Sequence, residues 1–455
     1  MILSSSEAKK YSEPEKMASV FLNRYFNNQE IKYPINPFKI LQDYGVIFKL
    51  SNLRKLEGVY IPASSVDDIP VVGININRPI TRQRFTAAHE LCHHLRDADR
   101  QISCPIGAKD KIEKFAESFA AALLMPLCDL KIQVKDRMDR NGHVNFDDVL
   151  DIADYFGVSF ASCLYRIAYL IHAIDGDTSS NSLKKKIIKY SPDYKRKARH
   201  MTFTKLYEGL LDNYNRQLLS FQPTDYAKYI FQNEYIYNDS RMEGLDVTLG
   251  QASEIVTDLR LNTQNSVYCS EQNEVFMSIA GHYAMYQEIF HEQPKDECSI
   301  QDMFSLNQKL FSCYPYPDFG GRLRQNNTLV MGAKFETIDY RNIAKELDKL
   351  EIEIKKLSEA KDNIPISEFI KCVARIHHRI TVIHPFADGN GRTSRAFMNM
   401  QLISANLPPV YIKIEDKQAY VDALHRVDAC GNYDELYEII FKILLNTHVE
   451  LNKNI

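Results

Sequence analysis

Residues 384–395 read HPFADGNGRTSR. In the segment before them, 366–380, apolar side chains recur at spacings of three and four, which predicts a helix with one core-facing side. Pro385 disfavours helical geometry at the residue that precedes it, and a new helical pattern begins near Arg392. The run is therefore expected to form a loop between two helices.

The composition of this loop is typical of a phosphate-binding site. Gly389 and Gly391 allow tight backbone turns with inward-facing amides, and the N-terminus of the following helix offers free N–H groups and positive partial charge. Amide, guanidinium and carboxylate groups that could hold a triphosphate and a bridging Mg²⁺ ion come from Asn390, Arg392, Arg395 and Asp388. The loop thus carries the groups that a triphosphate needs.

His384 is the loop side chain whose ordinary pKa lies closest to neutrality, so it is suited to accept the proton of an attacking hydroxyl group. The whole run resembles the signature H-P-F-x-[D/E]-G-N-G-R-x-x-R of the Fic family at every defined position. The resemblance extends over roughly residues 200–450. It implies that His384 is the catalytic base.

The resemblance also implies how the loop binds ATP. Asn390 and Arg392 would hold the α- and β-phosphates, and Arg395 would meet the γ-phosphate. Asp388 would bind Mg²⁺. The implied reaction transfers AMP from ATP to a Ser, Thr or Tyr hydroxyl of a target protein and releases pyrophosphate. Gly391 favours nucleotidyl transfer, because kinase-like Doc proteins of the same superfamily replace this glycine; transfer of UMP or of another phosphate-containing group is the alternative.

Residues 320–333 combine two glycine-containing extended runs in an otherwise helical region, which predicts a β-hairpin. This hairpin resembles the flap of the Fic family. Its edge could align a target segment by strand addition and so present a hydroxyl group to His384. An ordinary surface hairpin is the alternative interpretation.

Residues 239–244 read DSRMEG and resemble the inhibitory motif [S/T]-x-x-x-E-[G/N] of self-inhibited Fic proteins. The resemblance implies that Glu243 pairs with Arg395 and so takes the guanidinium group that the γ-phosphate would otherwise meet. Asp239 departs from the motif, which has Ser or Thr at this place. A helix-end glutamate without an inhibitory role is the alternative.

A second motif lies far upstream, where residues 89–93 read HELCH. In a helix, His89 and His93 lie one turn apart on one face and can both reach a single Zn²⁺ ion, with Glu90 beside a metal-bound water. In another helical segment, Glu113 and Glu117 lie four residues apart. One of these carboxylates could supply a third ligand and the other could support a histidine.

The stretches 82–90 and 113–126 resemble the ImmA/IrrE family of metallopeptidases, and the resemblance covers about residues 15–170. It implies that the zinc ligands are His89, His93 and Glu113. It further implies that Glu90 is the general base and that Glu117 supports the ligands. Family members cut helix-turn-helix repressors, so a repressor is the implied peptidase substrate. The alternative is a non-catalytic domain that senses a signal or binds a repressor.

The chain has 455 residues, which is more than one hydrophobic core usually holds. Mixed strand and helix signals predict an α+β domain in residues 1–174, and the resemblance implies that it is a zincin-like metallopeptidase domain. The Asp/Gly/Ser-rich and basic stretch 175–200 is expected to be a linker. Residues 201–455 are expected to form an all-α Fic domain with an N-terminal inhibitory helix region and the short hairpin flap.

The composition limits the classes of partner. With 56 basic and 59 acidic residues, the chain has no overall field that would attract nucleic acid or an anionic membrane. The nine cysteines are scattered without a spacing that indicates a disulfide framework. Without an apolar leader or spanning run, the expected location is the cytoplasm, and the expected partners are proteins rather than nucleic acid or membrane.

Overall fold

The computed structural model describes residues 3–65, 67–98, 102–105, 110–222, 224–263, 274–290, 295–314, 320–329 and 336–452. The chain divides into two compact units, Met1–Leu218 and Leu219–Ile455. None of the helices formed by these described residues has the length and apolar character that a membrane crossing requires.

The first unit combines helices with one small sheet. Its strands are β1 Ile47–Ser51, β2 Leu56–Ile61, β3 Val71–Asn75 and β4 Ile102–Pro105, in the order β1-β3-β2-β4. β1 is parallel to β3, whereas β2 is antiparallel to both β3 and β4. The helices of the first 200 residues are α1 Ser5–Ala8, α2 Pro14–Tyr25, α3 Pro37–Asp43, α4 Ile80–Arg96, α5 Lys111–Leu124, α6 Leu127–Lys135, α7 Phe146–Phe156, α8 Phe160–Arg166, α9 Ser180–Tyr190 and α10 Pro192–Ala198.

The expected α+β character of this unit is confirmed. α4 packs against β2, β3 and α5, and most of its side chains are buried. α5 begins after Asp110, whose carboxylate accepts hydrogen bonds of 2.9 Å from the N–H groups of Ile112 and Glu113. This cap fixes Glu113 in the first turn of α5, next to α4.

The stretch 175–200, which was expected to be a linker, holds the helices α9 and α10. Leu183 in α9 is fully buried, and Arg196 in α10 is buried and paired at 2.7 Å with Asp154 of α7. Two further short helices, α11 Thr204–Leu211 and α12 Arg216–Leu219, follow. Residues 201–218, which the sequence placed with the second domain, belong to the first unit in the structure.

The second unit is helical, as expected. Its helices are α13 Asp225–Met242, α14 Leu249–Leu261, α15 Glu274–Ile289, α16 Ile300–Leu310, α17 Ile343–Ala360, α18 Ile366–Ile383, α19 Asn390–Ser404, α20 Lys417–Cys430 and α21 Asp434–Leu451, with 3₁₀ turns at Tyr340–Asn342 and Ile414–Asp416. α19 is buried along nearly its whole length and packs against α15, α16 and α18. The helix that follows the loop between α18 and α19 is thereby anchored in the core of the unit.

The predicted flap is described only in part, because residues 330–335 lie outside the described ranges. Leu323 forms an isolated antiparallel bridge with Phe386, and the Arg324 N–H donates to the Pro385 carbonyl at 2.9 Å. The first extended run of the predicted hairpin therefore pairs with the loop that follows α18.

Candidate nucleotide site and candidate metal centre

The loop between α18 and α19 depends on two left-handed backbone positions. His384 ends α18 with φ of 50°, and its N–H still donates to the Ile380 carbonyl at 2.9 Å. Gly389 precedes α19 with φ of 76°, and a Cβ atom there would lie 2.8 Å from Leu310 and 2.9 Å from Phe311. Glycine is therefore required at this position both for its backbone conformation and for space.

Asn390 fastens the loop from within. Its Oδ1 accepts from the Phe386 N–H and its Nδ2 donates to the Phe386 carbonyl, both at 2.9 Å. The Phe386 ring is buried and meets Phe304 edge to face, with ring centroids 5.3 Å apart. The sequence assigned Asn390 to the phosphates, but in this structure both polar atoms of its side chain hold the loop.

Asn307 of α16 anchors the loop from outside. Its Nδ2 donates to the Asp388 carbonyl at 3.1 Å and to the Thr393 hydroxyl at 3.0 Å, while its Oδ1 accepts from the Gly321 N–H at 2.9 Å. The side chain is buried. One residue thus joins the start of the flap segment, the loop and the first turn of α19.

Arg324 holds the end of α18. Its guanidinium donates to the carbonyls of His384 at 2.6 Å and Ile383 at 3.3 Å, and also to those of Asn326 and Ile338. Burial lowers the pKa of Arg324. The arginine satisfies carbonyl groups that a helix end otherwise leaves without partners, and it fixes the backbone from which His384 projects.

His384 is half-buried. Burial lowers its pKa below the ordinary value, and the nearby charge of Arg324 lowers it further, whereas the Thr381 backbone and the carboxylates of Asp388 and Glu243 raise it. The net direction is downward. The neutral imidazole, which is the form that accepts a proton, is therefore favoured near neutral pH.

Two charged residues of the loop could hold phosphate and metal. The Asp388 side chain is 61% exposed, and its Oδ1 accepts from the Gly389 N–H at 2.6 Å. The Arg392 side chain is buried over the Phe311 ring, and its Nε is a buried donor that has no hydrogen-bond partner among the described residues. A buried, unsatisfied guanidinium N–H fits an anion, and an exposed carboxylate fits Mg²⁺.

Arg395 is buried and is bound by two carboxylates, that of Asp239 within α13 and that of Glu243 at the C-terminal cap of the same helix. Its Nε donates to Asp239, and its Nη2 donates to Glu243 at 2.6 Å. A Cβ atom on Gly391 would lie 3.1 Å from both the Arg395 Nη1 and the Glu243 Oε1. The structure thus brings together Glu243 and Arg395, the pair named by the motif, and a side chain at position 391 would crowd both groups.

Asp239 also contacts His282 of α15, whose Nε2 lies 3.1 Å from the Asp239 Oδ2. Burial alone would raise the pKa of Asp239, but the Arg395 charge and the His282 contact lower it to about 2. Burial alone would lower the pKa of Arg395, but Asp239 and Glu243 raise it well above its usual range. This buried group is therefore an ion pair over the whole physiological pH range.

The metal-ligand candidates of the first unit also converge. His89 Nε2 lies 3.1 Å from both Glu113 Oε2 and His93 Nε2, and His93 Nε2 lies 3.5 Å from Glu113 Oε1. A tetrahedral zinc ion with bonds of about 2.0–2.1 Å separates its ligand atoms by roughly 3.3 Å. All three side chains are buried, so the spacing and the donor set both fit Zn²⁺.

The surroundings of the centre orient its ligands. His93 Nδ1 lies 3.1 Å from Asp97 Oδ2, which places a proton on Nδ1 and leaves the Nε2 lone pair directed at the centre. Burial lowers the pKa of His89, although the Glu113 hydrogen bond opposes this effect. Glu117, expected to support a histidine, is exposed and acts on His89 through its charge, which opposes the lowering of the His89 pKa, whereas the contact to His93 comes from Asp97.

Glu90 is fully buried where α4 faces β2. A Cβ atom on Gly58 of β2 would lie 2.4 Å from the Glu90 Oε1 and 2.5 Å from the Thr86 Cγ2. The glycine thus makes the space that the glutamate occupies. His94, which follows His93 in the sequence, contacts β2 instead of the metal ligands, with its Nδ1 3.1 Å from the Tyr60 hydroxyl.

Asn307, Arg324, His282 and Asp97 are the supporting residues that sequence reasoning missed. Asp97 alone had a signal, since it follows His93 by four residues at the end of a helix. The other three meet the site only through tertiary packing, and nothing in their local sequence marks them.

Comparison with known families agrees with both motifs. Residues 43–168 match the IrrE N-terminal-like domain, a peptidase family, and residues 297–402 match the Fic/DOC family. These matches confirm the two resemblances noted in the sequence.

Curated relatives match less than half of the chain. Protein adenylyltransferase fic-1 of Caenorhabditis elegans is 27% identical over 192 residues, which are 42% of this chain and 35% of that protein. Protein adenylyltransferase Fic of Nematostella vectensis is 27% identical over 199 residues, which are 43% of each chain. This chain therefore spans less than half the length of these relatives. A solved structure of Fic-1 from C. elegans (aa134–508) covers 74% of this chain and is itself covered to 92%, with 18% identity and a TM-score of 0.44.

Proposed function

We propose that this chain, which matches the IrrE N-terminal-like domain at residues 43–168 and the Fic/DOC family at residues 297–402, transfers AMP from ATP to a Ser, Thr or Tyr hydroxyl of a target protein. The observation that carries the proposal is the loop between α18 and α19. It carries a half-buried histidine, His384, at one end and a buried arginine, Arg392, whose Nε has no partner among the described residues, at the start of the helix that follows. A general base and an unsatisfied anion-binding group on one loop are what nucleotidyl transfer needs.

We propose the following roles for these residues in the reaction. His384 accepts the proton of the target hydroxyl as its oxygen forms a bond to the α-phosphorus of ATP. The bond between the α-phosphorus and the oxygen that bridges to the β-phosphate breaks, and pyrophosphate leaves. Arg392 and Arg395 offset the charge of the phosphates, and the N-terminus of α19 adds amide donors. Asp388 would hold Mg²⁺, which neutralises phosphate charge when bound.

Glu243 acts as a brake in this proposal. Its carboxylate is bound to Arg395, so a γ-phosphate that needs the same guanidinium has to displace it. Glu243 lies at the C-terminal cap of α13, and its side chain is one-third exposed. An exposed position at a helix end allows the carboxylate to leave without unfolding the helix.

Incubation with labelled ATP and Mg²⁺ tests the proposal. We expect Glu243→Gly to increase auto-modification at least severalfold over the wild type. Adding His384→Ala to that variant should abolish the label, because the base is lost. Persistent labelling without His384 would show that the proposed base is wrong, and equal or weaker labelling of Glu243→Gly would refute the brake. Parallel incubation with labelled UTP decides between AMP and UMP transfer.

We further infer that the first unit binds Zn²⁺ and works as a regulatory peptidase with a protein substrate, such as a helix-turn-helix repressor. The convergence of the two histidines and Glu113 supports zinc binding, and the position of Glu90 in the same helix turn supports its role as general base. The alternative is a sensing or repressor-binding domain that binds zinc without cleavage. Glu90→Gln should retain zinc but lose cleavage of an added repressor; cleavage that survives this change would exclude Glu90 as the base.

A further inference from the structure

The two carboxylates on Arg395 occupy different nitrogens and different surroundings. Asp239 binds Nε and its side chain is 5% exposed, whereas Glu243 binds Nη2 and is 34% exposed. Asp239 lies one turn inside α13, while Glu243 is its C-cap. The first contact is therefore part of the core, and the second lies at the edge of the site.

Asp239 is itself held in place. His282 of α15 contacts its second carboxylate oxygen at 3.1 Å, and the other ring nitrogen of His282 lies 2.9 Å from the Ser278 carbonyl. His282 is fully buried. A histidine fixed by its own helix thus fixes the aspartate, and the aspartate fixes the arginine.

The two carboxylates therefore have different effects on Arg395. When Glu243 leaves, its Nη2 contact is released, but the Nε contact to Asp239 remains. The guanidinium then keeps both its orientation and a buried counter-charge, which a lone buried cation would lack. Its Nη2 is the donor that becomes available to phosphate, and arginine binds phosphate best when its planar group is already oriented.

We propose that Asp239, supported by His282, is a positioning residue that keeps Arg395 aimed at the γ-phosphate whether or not Glu243 is bound. The inference rests on the proposed function of the loop and deepens it. Where the inhibitory motif has Ser or Thr, this chain has a charged anchor, so its arginine is oriented before the nucleotide arrives.

A binding experiment tests this role apart from turnover. The parent is the full chain with Glu243→Gly and His384→Ala, and the added change is Asp239→Asn, which keeps the shape and removes the charge. Dissociation constants are measured by calorimetry for ATP and for ADP, each with Mg²⁺. We expect the constant for ATP to rise roughly tenfold, a loss typical of one charge-assisted contact. The constant for ADP, which lacks the γ-phosphate, should change less than about twofold.

Two controls keep the result specific. Asp258→Asn removes another buried carboxylate of the same unit, one that binds the Thr263 hydroxyl at 2.8 Å, and should leave both constants unchanged. His282→Ala leaves Asp239 intact but removes its support. We expect it to weaken the binding of ATP but not of ADP, and to a smaller extent than Asp239→Asn does. It serves as the second variant if Asp239→Asn does not fold.

Each outcome decides between the two proposals. A parent that binds neither nucleotide refutes the proposed function and this inference with it. Unchanged or tighter ATP binding in Asp239→Asn refutes the positioning role alone, and tighter binding identifies Asp239 as a second brake. Equal weakening of ATP and ADP shows a merely structural role and also overturns the inference.

Discussion

The metal centre of the first unit and the ion-pair cluster of Arg395, Asp239 and Glu243 in the second unit differ in the sequence separation of their residues. His89, His93 and Glu113 lie within 24 residues and come from two helices that pack on each other. Arg395 meets its carboxylates across 152 and 156 residues. The first site is a local product of two helices, whereas the second exists only when distant helices of its unit pack correctly.

The supporting contacts follow the same division. The metal centre is oriented by Asp97, four residues from its histidine, and by the Asp110 cap at the start of α5. The nucleotide loop is oriented by Asn307 of α16 and by the flap residue Arg324, about 80 and 60 residues away. We therefore expect the metal centre to respond mainly to changes in its own ligands, and the nucleotide site to respond strongly to changes in remote helices.

The largest effect is expected at the metal centre. His89→Ala should reduce bound zinc from about one equivalent to none, because a site with three protein ligands loses one of them. His94→Ala is the matched control, since His94 is in the same helix but contacts Tyr60. Elemental analysis of the purified chain measures both. Zinc that survives His89→Ala, or is lost equally in His94→Ala, would overturn the ligand assignment.

A change in a remote helix should come next in size. Asn307→Ala removes three hydrogen bonds that hold the flap segment, the loop and α19 together, and we expect labelling by the Glu243→Gly chain to fall about a hundredfold, as for a catalytic group misplaced by about 1 Å. The exposed neighbour Gln308→Ala is the control. The melting temperature shows whether the fold is retained. Labelling within twofold of the parent would show that the loop does not depend on this distant anchor.

The same division explains what the sequence could and could not predict. The HELCH run and the loop from His384 to Arg395 were identified because their chemistry lies in consecutive residues or at helical spacing. The α+β and helical classes of the two units were predicted because periodicity is local. Asn307 and His282 were missed because their roles depend on which helices pack together, and that is set by side-chain shape over the whole unit.

The boundary between the units shows the limit of composition as a guide. A polar and basic stretch is typical of a linker, yet residues 175–200 form two helices that place Leu183 and Arg196 in the interior. The buried contacts of this segment are one apolar residue in α9 and one buried arginine of α10 in an ion pair. Asp239 is a related case, since the motif marked it as a departure but only the structure places it on Arg395.

A smaller effect is expected when a supporting group of the metal centre is changed. Asp97→Asn keeps the shape of the side chain but weakens the hydrogen bond that orients His93, so zinc affinity should fall about tenfold. Competition with a chelator of known affinity measures the change. Glu117→Gln is the control because Glu117 is exposed. A loss in Glu117→Gln that matches the loss in Asp97→Asn would return the supporting role to Glu117.

The smallest effect concerns the pH dependence of the nucleotide site. Burial lowers the pKa of His384 below its ordinary value, and the base acts in its neutral form, so labelling should be constant above neutral pH and fall only on the acid side. Glu243 raises this pKa, so its removal should shift the acid limb of kcat/KM to slightly lower pH. Initial rates of the wild type and Glu243→Gly between pH 5 and 8 measure the shift. An acid limb centred above pH 7 would mean that another group sets the profile, and a shift to higher pH in Glu243→Gly would mean that Glu243 does not act on the base through its charge.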